Sequence, residues 1–422
     1  MEEAFDLLVG IDWGFSNHQV CVLDICGKIK GQRSFEHSGQ SLTDLCDWLL
    51  TFTQKEAGRV AIAIEVPYGP LVETLLDRGF AVFFIHPKQL DRFRDRFSAS
   101  GAKDDRRDAR VGADALRTDR THLRRLSMRD SITIRLGEWQ RILAEVTEES
   151  LVLTNRLRSH LWRYFPAFLE VAYDLSLNWI SALWALIPNP AAATTATLED
   201  VAKLLGGSHP VRRFDAQAVL TILRKPAPIV ASGTVEAAEA HCRLLFERLQ
   251  LVLKQQKEAR RAVDVLLAEW DDAHPPVPSA SETPGGSPRP GDAEILRSLP
   301  GLGRVVLATL LSEAGELVKN RDYQALRLLA GVAPVTRQSG KMRQVLRRFA
   351  CSRPLRRAVH HWARVASTID KTSIVRYQAL RKAGHSNGRA LRTVGDRLLA
   401  VACATLKNGT LFDPEKGKTT PA

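Results

Sequence analysis

Asp12 closes the apolar run LLVGID, and Glu65 closes a second one, VAIAIE. Acids are poor residues for a buried strand, so a carboxylate ending an apolar run needs a partner that explains it. If the two runs are adjacent parallel strands, both acids lie at the same edge of a sheet. A third cluster, KDDRRDA, supplies Asp105 and Asp108. A spacing of three places both on one face of a helix. Four converging acids repel one another unless a cation sits among them. Mg²⁺ prefers oxygen donors and is the usual solution beside phosphate substrates, with Mn²⁺ as a substitute. Two ions about 4 Å apart activate an attacking oxygen and stabilise a leaving one. Each acid alone also has a plainer reading: Asp12 as a turn former, and DDRRDA as an exposed helix start held by ion pairs.

Those acids need a scaffold. Leu7–Asp12, Gln19–Leu23 and Lys28–Phe35, with a turn at Gly27, predict an antiparallel meander. Leu42, Leu45, Leu49 and Leu50 give helical spacing over Ser41–Thr53. Val60–Ile64 predicts a buried strand, Val72–Arg78 a helix closed by Gly79, and Ala81–Ile85 another strand. A helix is expected from about Asp105. Residues 1–130 are thus α/β and form the expected catalytic domain.

Helical stripes follow over 131–271. One runs Leu143, Val146, Ser150, Leu153, Leu157, Leu161, Tyr164 and ends at Pro166. The other runs Leu245, Leu249, Val252, Gln256, Ala259, Val263, Leu266. Their spacing predicts an antiparallel coiled coil, within the chain or between protomers. Residues 190–235 carry no functional signal. The Pro, Gly and Ser-rich stretch 272–292 reads as a linker, 293–411 as a helical C-terminal domain, and 412–422 as a tail. Trp139, Trp162, Tyr164 and Trp270 are expected to pack rather than stack on bases.

The chain has 422 residues and a net charge of +13. Lys341 to Lys407 holds sixteen Lys and Arg against two acids, Asp370 and Asp396, a surplus of fourteen. The basic character therefore belongs to one region, which favours phosphate contact over a merely solvated face. The six cysteines show no zinc spacing, and Cys21, Cys242 and Cys403 read as buried small residues. No secretory signal or membrane-spanning run is apparent, so a cytoplasmic protein is expected.

VGIDWG, AIEVP and AKDDRRDA together resemble the RuvC-like, ribonuclease-H-like domain of the insertion-sequence one-ten transposase family. That family includes Piv-type DNA invertases and bridge-RNA-guided recombinases. Its last two acids usually stand in K-(T/N)-D-x-x-D-A, which here falls on Lys103, Asp105, Asp108 and Ala109. Asp104 replaces the usual Thr or Asn, so either Asp104 or Asp105 is the ligand, and the spacing to Asp108 favours Asp105. The resemblance continues through Asn155–Arg158, Phe165-Pro166, SLPGLG ending at Gly303, LAGVAP ending at Pro334, Gln338-Ser339-Gly340, Arg376-Tyr377 and Lys407–Gly409. It covers most of the chain in order, but not 272–292 or much of 190–235.

The resemblance implies an enzyme whose Ser339 attacks DNA and forms a phosphoserine, with Asp12, Glu65, Asp105 and Asp108 binding metal. From the residues alone, the turn is the favoured reading of Ser339-Gly340. A Gly-bearing turn at a helix start, here Gly301 and Gly303, can present N–H groups to a phosphate. Arg343, Arg347 and Arg348 follow the serine at helical spacing and are candidate phosphate contacts. The implied partners are donor and target DNA, a structured bridge RNA and further copies in a dimer or tetramer. Alternatives are a Piv-like invertase without guide RNA, a RuvC-like nuclease, and an inactive nucleic-acid-binding protein.

Overall fold

The computed structural model describes residues 4–97, 104–206, 215–274, 290–340 and 342–414, and leaves out the Arg343 side chain. Lys103, most of the linker and most of the tail lie outside the described residues. The chain forms two compact units, Met1–Asp130 and Ser131–Ala422.

In the first unit β1 (Leu7–Asp12), β2 (Asn17–Asp24) and β3 (Ile29–Glu36) form the expected meander. Helix α1 (Gly39–Leu50) leads to β4 (Val60–Ile64), then α2 (Pro70–Asp77) to β5 (Ala81–Phe84). Helices α3 (Pro87–Asp95) and α4 (Asp105–Asp119) precede a short edge strand, β6 (Arg124–Arg125). The sheet order is β3-β2-β1-β4-β5-β6, with β1, β4 and β5 parallel and β6 antiparallel to β5. This mixed sheet flanked by helices is the ribonuclease-H-like architecture.

Strand side chains alternate between faces, and each face has its own core. Leu7, Val9, Ile11, Val20, Val22, Ile62 and Ile64 meet Leu45, Leu49 and Leu75 of α1 and α2. Leu8, Cys21, Leu23, Ala61 and Ala63 meet Ala109, Ala113 and Leu116 of α4. Small residues at Gly10, Ala61 and Ala63 on this second face let the α4 backbone approach the strands closely.

In the second unit α5 (Ser131–Tyr164) pairs with α11 (Thr234–Ala273). Arg135 meets Glu269, Thr147 meets Gln256, Glu149 meets Arg248, and the His160 ring lies against that of His241. Partners on α11 descend as α5 ascends, so the pair is antiparallel and lies within the chain. Between them run α6 (Pro166–Val171), α7 (Asn178–Leu186), α8 (Pro190–Thr195), α9 (Leu198–Gly206) and α10 (Ala216–Leu223). Part of the stretch that carried no functional signal thus packs helices onto a core including Phe168, Ile180 and Leu220.

The rest comprises α12 (Asp292–Arg297), α13 (Arg304–Lys319), α14 (Tyr323–Leu329), β7 (Val335–Ser339), β8 (Met342–Leu346), α15 (Arg353–Ile369), α16 (Lys371–Lys382) and α17 (Asn387–Asn408). Two expectations are corrected here. The segment after Ser339 is a strand, so Arg343, Arg347 and Arg348 do not share a helix face. Trp162 is 72% exposed and not a packing residue; Tyr164 is buried, and Trp139 and Trp270 are partly so. The core of this region centres on Trp362, whose indole N–H donates to the Pro300 carbonyl at 2.9 Å.

Candidate active site

The register of β1 and β4 sets the site. Ile11 pairs with Ile64 in parallel, so Asp12 and Glu65, the next residues on each, stand side by side at the carboxyl end of the two strands. Asp12 shares its pleat side with Leu8, and Glu65 with Ala61 and Ala63. Both therefore belong to the face that α4 covers.

Helix α4 reaches this face because of Gly10. A Cβ placed there would lie 1.8 Å from the Ala109 carbonyl oxygen and 2.5 Å from the Ala113 nitrogen. Only glycine permits that approach. The residue before Ala109 is Asp108, so the close contact anchors the first turns of α4 beside the strand that ends in Asp12. Asp104 is the N-cap, its side chain accepting from the Arg106 N–H at 3.4 Å. Asp105, the first helical residue, is exposed, and Asp108 is buried. The capping role distinguishes Asp104 from the acids at helical positions.

Asp108 is not left as a bare buried charge. Arg94 of α3 places its Nε 2.8 Å from Asp108 Oδ1, and also meets Asp91 at 3.2 Å. The N–H vector misses the Asp108 oxygen, so the contact is an ion pair rather than an aligned hydrogen bond. Sequence reasoning missed Arg94, since its pairing depends on how α3 and α4 pack. Gly10, by contrast, had a signal: a glycine inside an apolar strand often marks a close backbone approach.

Asp12, Glu65, Asp105 and Asp108 offer hard oxygen donors of the kind Mg²⁺ takes. Asp12, Glu65 and the first turns of α4 share one sheet end. Among the described residues, however, no three His, Cys, Asp or Glu side chains form a ready-made metal cage. The donor set suits a divalent ion, and the Arg94 contact is what such an ion would have to displace or share.

On the opposite face, His18 of β2 is fully buried and its Nε2 lies 2.9 Å from His37 Nδ1. Its Nδ1 has no hydrogen-bond partner among the described residues. Burial first, and His37 second, push its pKa down to about 4.

Ser339 ends β7 and pairs with Met342 of β8. The turn between them is two residues long, and Gly340 has φ +55°, the left-handed conformation that tight hairpin turns require. Ser339 and Gly340 are both exposed. The turn reading and an accessible hydroxyl are therefore compatible. Gly301 is explained by packing: with φ +75°, its Cβ would meet the Ala366 nitrogen of α15 at 2.9 Å. Gly303 is the exposed N-cap of α13. Arg347 is exposed, with its guanidinium 5.5 Å from the Phe349 ring centre. Arg348 is half-buried, and its Nε lacks a hydrogen-bond partner among the described residues.

Two family profiles match the chain. One, described as a DEDD transposase of the IS110 type, covers residues 9–166 and so includes the four candidate acids. The other, described as a transposase of the IS116/IS110/IS902 family, covers 293–378 and includes Ser339. The chain is 47% identical to the putative transposase y4uE of Sinorhizobium fredii over 53% of this chain and 62% of that one. It is 28% identical to the mini-circle putative transposase for IS117 of Streptomyces coelicolor, over 98% of this chain and 97% of the relative. It is 26% identical to an uncharacterized 43.6 kDa protein of insertion element IS110 from the same organism, over 97% and 96%.

Proposed function

Because this chain belongs to the IS110/IS116/IS902 family of transposases, enzymes that cut and join the DNA of a mobile element, we propose that it does so through a covalent bond to Ser339, assisted by divalent metal held by Asp12, Glu65, Asp105 and Asp108. The observation that carries this reading is the parallel register of β1 and β4. It sets Asp12 beside Glu65 on the face that α4, bearing Asp108, covers.

In this mechanism the Ser339 Oγ attacks the phosphorus of one phosphodiester. The Oγ–P bond forms as the bond to one sugar oxygen breaks, and the serine proton leaves as that oxygen gains one. The free hydroxyl of a second strand later attacks the phosphoserine, restoring Ser339 and a new phosphodiester. No high-energy cofactor is needed, because the ester energy is held on the protein. Bound Mg²⁺ would supply Lewis-acid stabilisation of the charge on the phosphoryl oxygens. The protein's part is to hold Asp12 and Glu65 at the ends of two strands and Asp105 and Asp108 on the first turn of α4, and to present an accessible hydroxyl on a hairpin. An oxygen donor set on strand ends suits phosphate chemistry better than a soft-ligand metal site.

Trapping the protein on a nicked DNA substrate and mapping the modified peptide tests this. An adduct at Ser339, lost in Ser339→Ala and in Asp12→Ala, is expected. A Ser339→Ala protein that still cuts DNA would instead identify a RuvC-like hydrolase.

The same proposal includes a structured bridge RNA that selects donor and target by base pairing, and assembly as a dimer or tetramer. The resemblance and the basic stretch Lys341–Lys407 support it. The protein then reads nucleic-acid shape and backbone while pairing reads sequence. A defined short RNA copurifying with the protein is expected; recombination by RNA-free protein would favour a Piv-like invertase.

A further inference from the structure

Helices α15 and α17 cross tightly. A Cβ at Gly395 would lie 2.9 Å from Val359 Cγ1 and 3.7 Å from Ala363 Cβ. The crossing brings Arg392, one turn before Gly395, to His360, the residue after Val359. Arg389 lies one turn further toward the start of α17. Arg347 follows directly on β8, and its charge bears on both Arg392 and His360.

Among the described residues, no acid is among the charged groups that act on Arg392 or His360. The groups acting electrostatically on Arg392 are Arg347 and Arg389, and together with its burial they push its pKa down. His360 is also pushed down, by burial first and then by Arg392, Arg347, Arg364 and His361. Elsewhere in the same unit structural arginines are paired. On the same helix, Asp396 receives Arg327 through Nε at 3.0 Å and Nη2 at 2.6 Å, and Arg321 takes Asp292 in the same bidentate way. Like charges gathered on one surface repel one another, and a bound anion relieves that repulsion.

Resting on the transposase reading above, we propose that Arg347, Arg389 and Arg392, with His360 beside them, form a clamp for a backbone phosphate of duplex DNA. Guanidinium forks match phosphate oxygens bidentately, and the imidazole adds one N–H donor. Arg347 directly follows the base of the hairpin that carries Ser339 at its tip, so the clamp and the proposed nucleophile belong to one hairpin, which favours DNA over a guide RNA. Of these four residues only Arg347 was legible as a candidate in the sequence; Arg389, Arg392 and His360 sit in no motif.

The test is salt-dependent binding of full-length protein, in the Ser339→Ala background, to a duplex of about 30 base pairs. Each neutralised phosphate contact lowers the log–log salt slope by about one. Arg347→Gln and Arg392→Gln are each expected to weaken binding roughly tenfold at moderate salt and to reduce that slope by about one. Arg376→Gln on α16 removes the same charge outside the clamp and should cost less than threefold. Arg347 is exposed, so its variant keeps the fold; Arg392→Lys retains charge and stem, and should keep the slope while losing affinity. Equal losses for Arg376→Gln and Arg392→Gln, or no loss at Arg347, would overturn the clamp. Losses on an RNA duplex but not on DNA would overturn the choice of ligand. Clamp-dependent binding here, together with no adduct at Ser339 when the wild-type protein is trapped on DNA, would reject the nucleophile and keep the clamp.

Discussion

Arg94 reaches across from α3 to place its Nε 2.8 Å from Oδ1 of Asp108, a carboxylate only 3% exposed. A buried acid is tolerable when a cation neutralises it, and either a guanidinium or a divalent ion can serve. Under the proposed metal role of Asp108, the pair would link the stability of the first unit to metal binding.

Arg94→Ala is expected to lower stability by about 2–4 kcal/mol, because removing one partner leaves the other charge buried. Mg²⁺ or Mn²⁺ should restore part of that loss. A ligand at a hundred times its dissociation constant adds about 2.7 kcal/mol to a native state that alone binds it. Thermal melts of the variant with increasing metal, and again after chelation, read this directly. A midpoint indifferent to metal would count against Asp108 as a ligand.

Gly10 and Gly112 face each other but should respond oppositely to alanine. At Gly10 the added Cβ collides with the α4 backbone, so Gly10→Ala should cost about 3 kcal/mol and abolish cleavage by shifting Asp108. At Gly112 the nearest atoms are Gly10 Cα at 3.6 Å and Ala63 Cβ at 3.7 Å, an ordinary contact. Gly112→Ala should be neutral or up to about 1 kcal/mol stabilising, since alanine is the better helix former. Paired denaturation curves decide between them.

Ser339→Ala should leave unfolding unchanged within about 0.5 kcal/mol, since the residue is exposed, while strand transfer is lost. Gly340→Val should act the other way. A β-branched residue at φ +55° is strained by roughly 1–3 kcal/mol, so the hairpin would distort and transfer would fall with Ser339 still present. Comparing urea midpoints with adduct yield separates chemistry from positioning.

His18 predicts a pH dependence of stability. Its pKa is about 4 in the folded state, against 6.5 as the ordinary value. The unfolded chain therefore binds the proton more readily. The contribution is fully present above about pH 6.5 and is lost as pH falls toward 4, amounting to roughly 3 kcal/mol. The difference in unfolding free energy between wild type and His18→Gln, followed from pH 7 to 4, should shrink over that window. A constant difference would show that His18 does not titrate with folding.

Local patterns in the sequence determined β1 to β5, α1, α2, α4 and the two coiled-coil stripes, because periodicity of apolar residues is a property of neighbouring positions. They also marked Asp12 and Glu65, since an acid ending an apolar run is visible without a fold. Only the tertiary structure decided the rest. The helical spacing of Arg343, Arg347 and Arg348 gave way to a hairpin, because a two-residue turn at Gly340 pairs Ser339 with Met342. Trp162 lies outside the core, since α5 turns that side away from its partner helix. Arg94 and Asp108 are separated in sequence and meet only through the packing of α3 on α4, which no local pattern encodes.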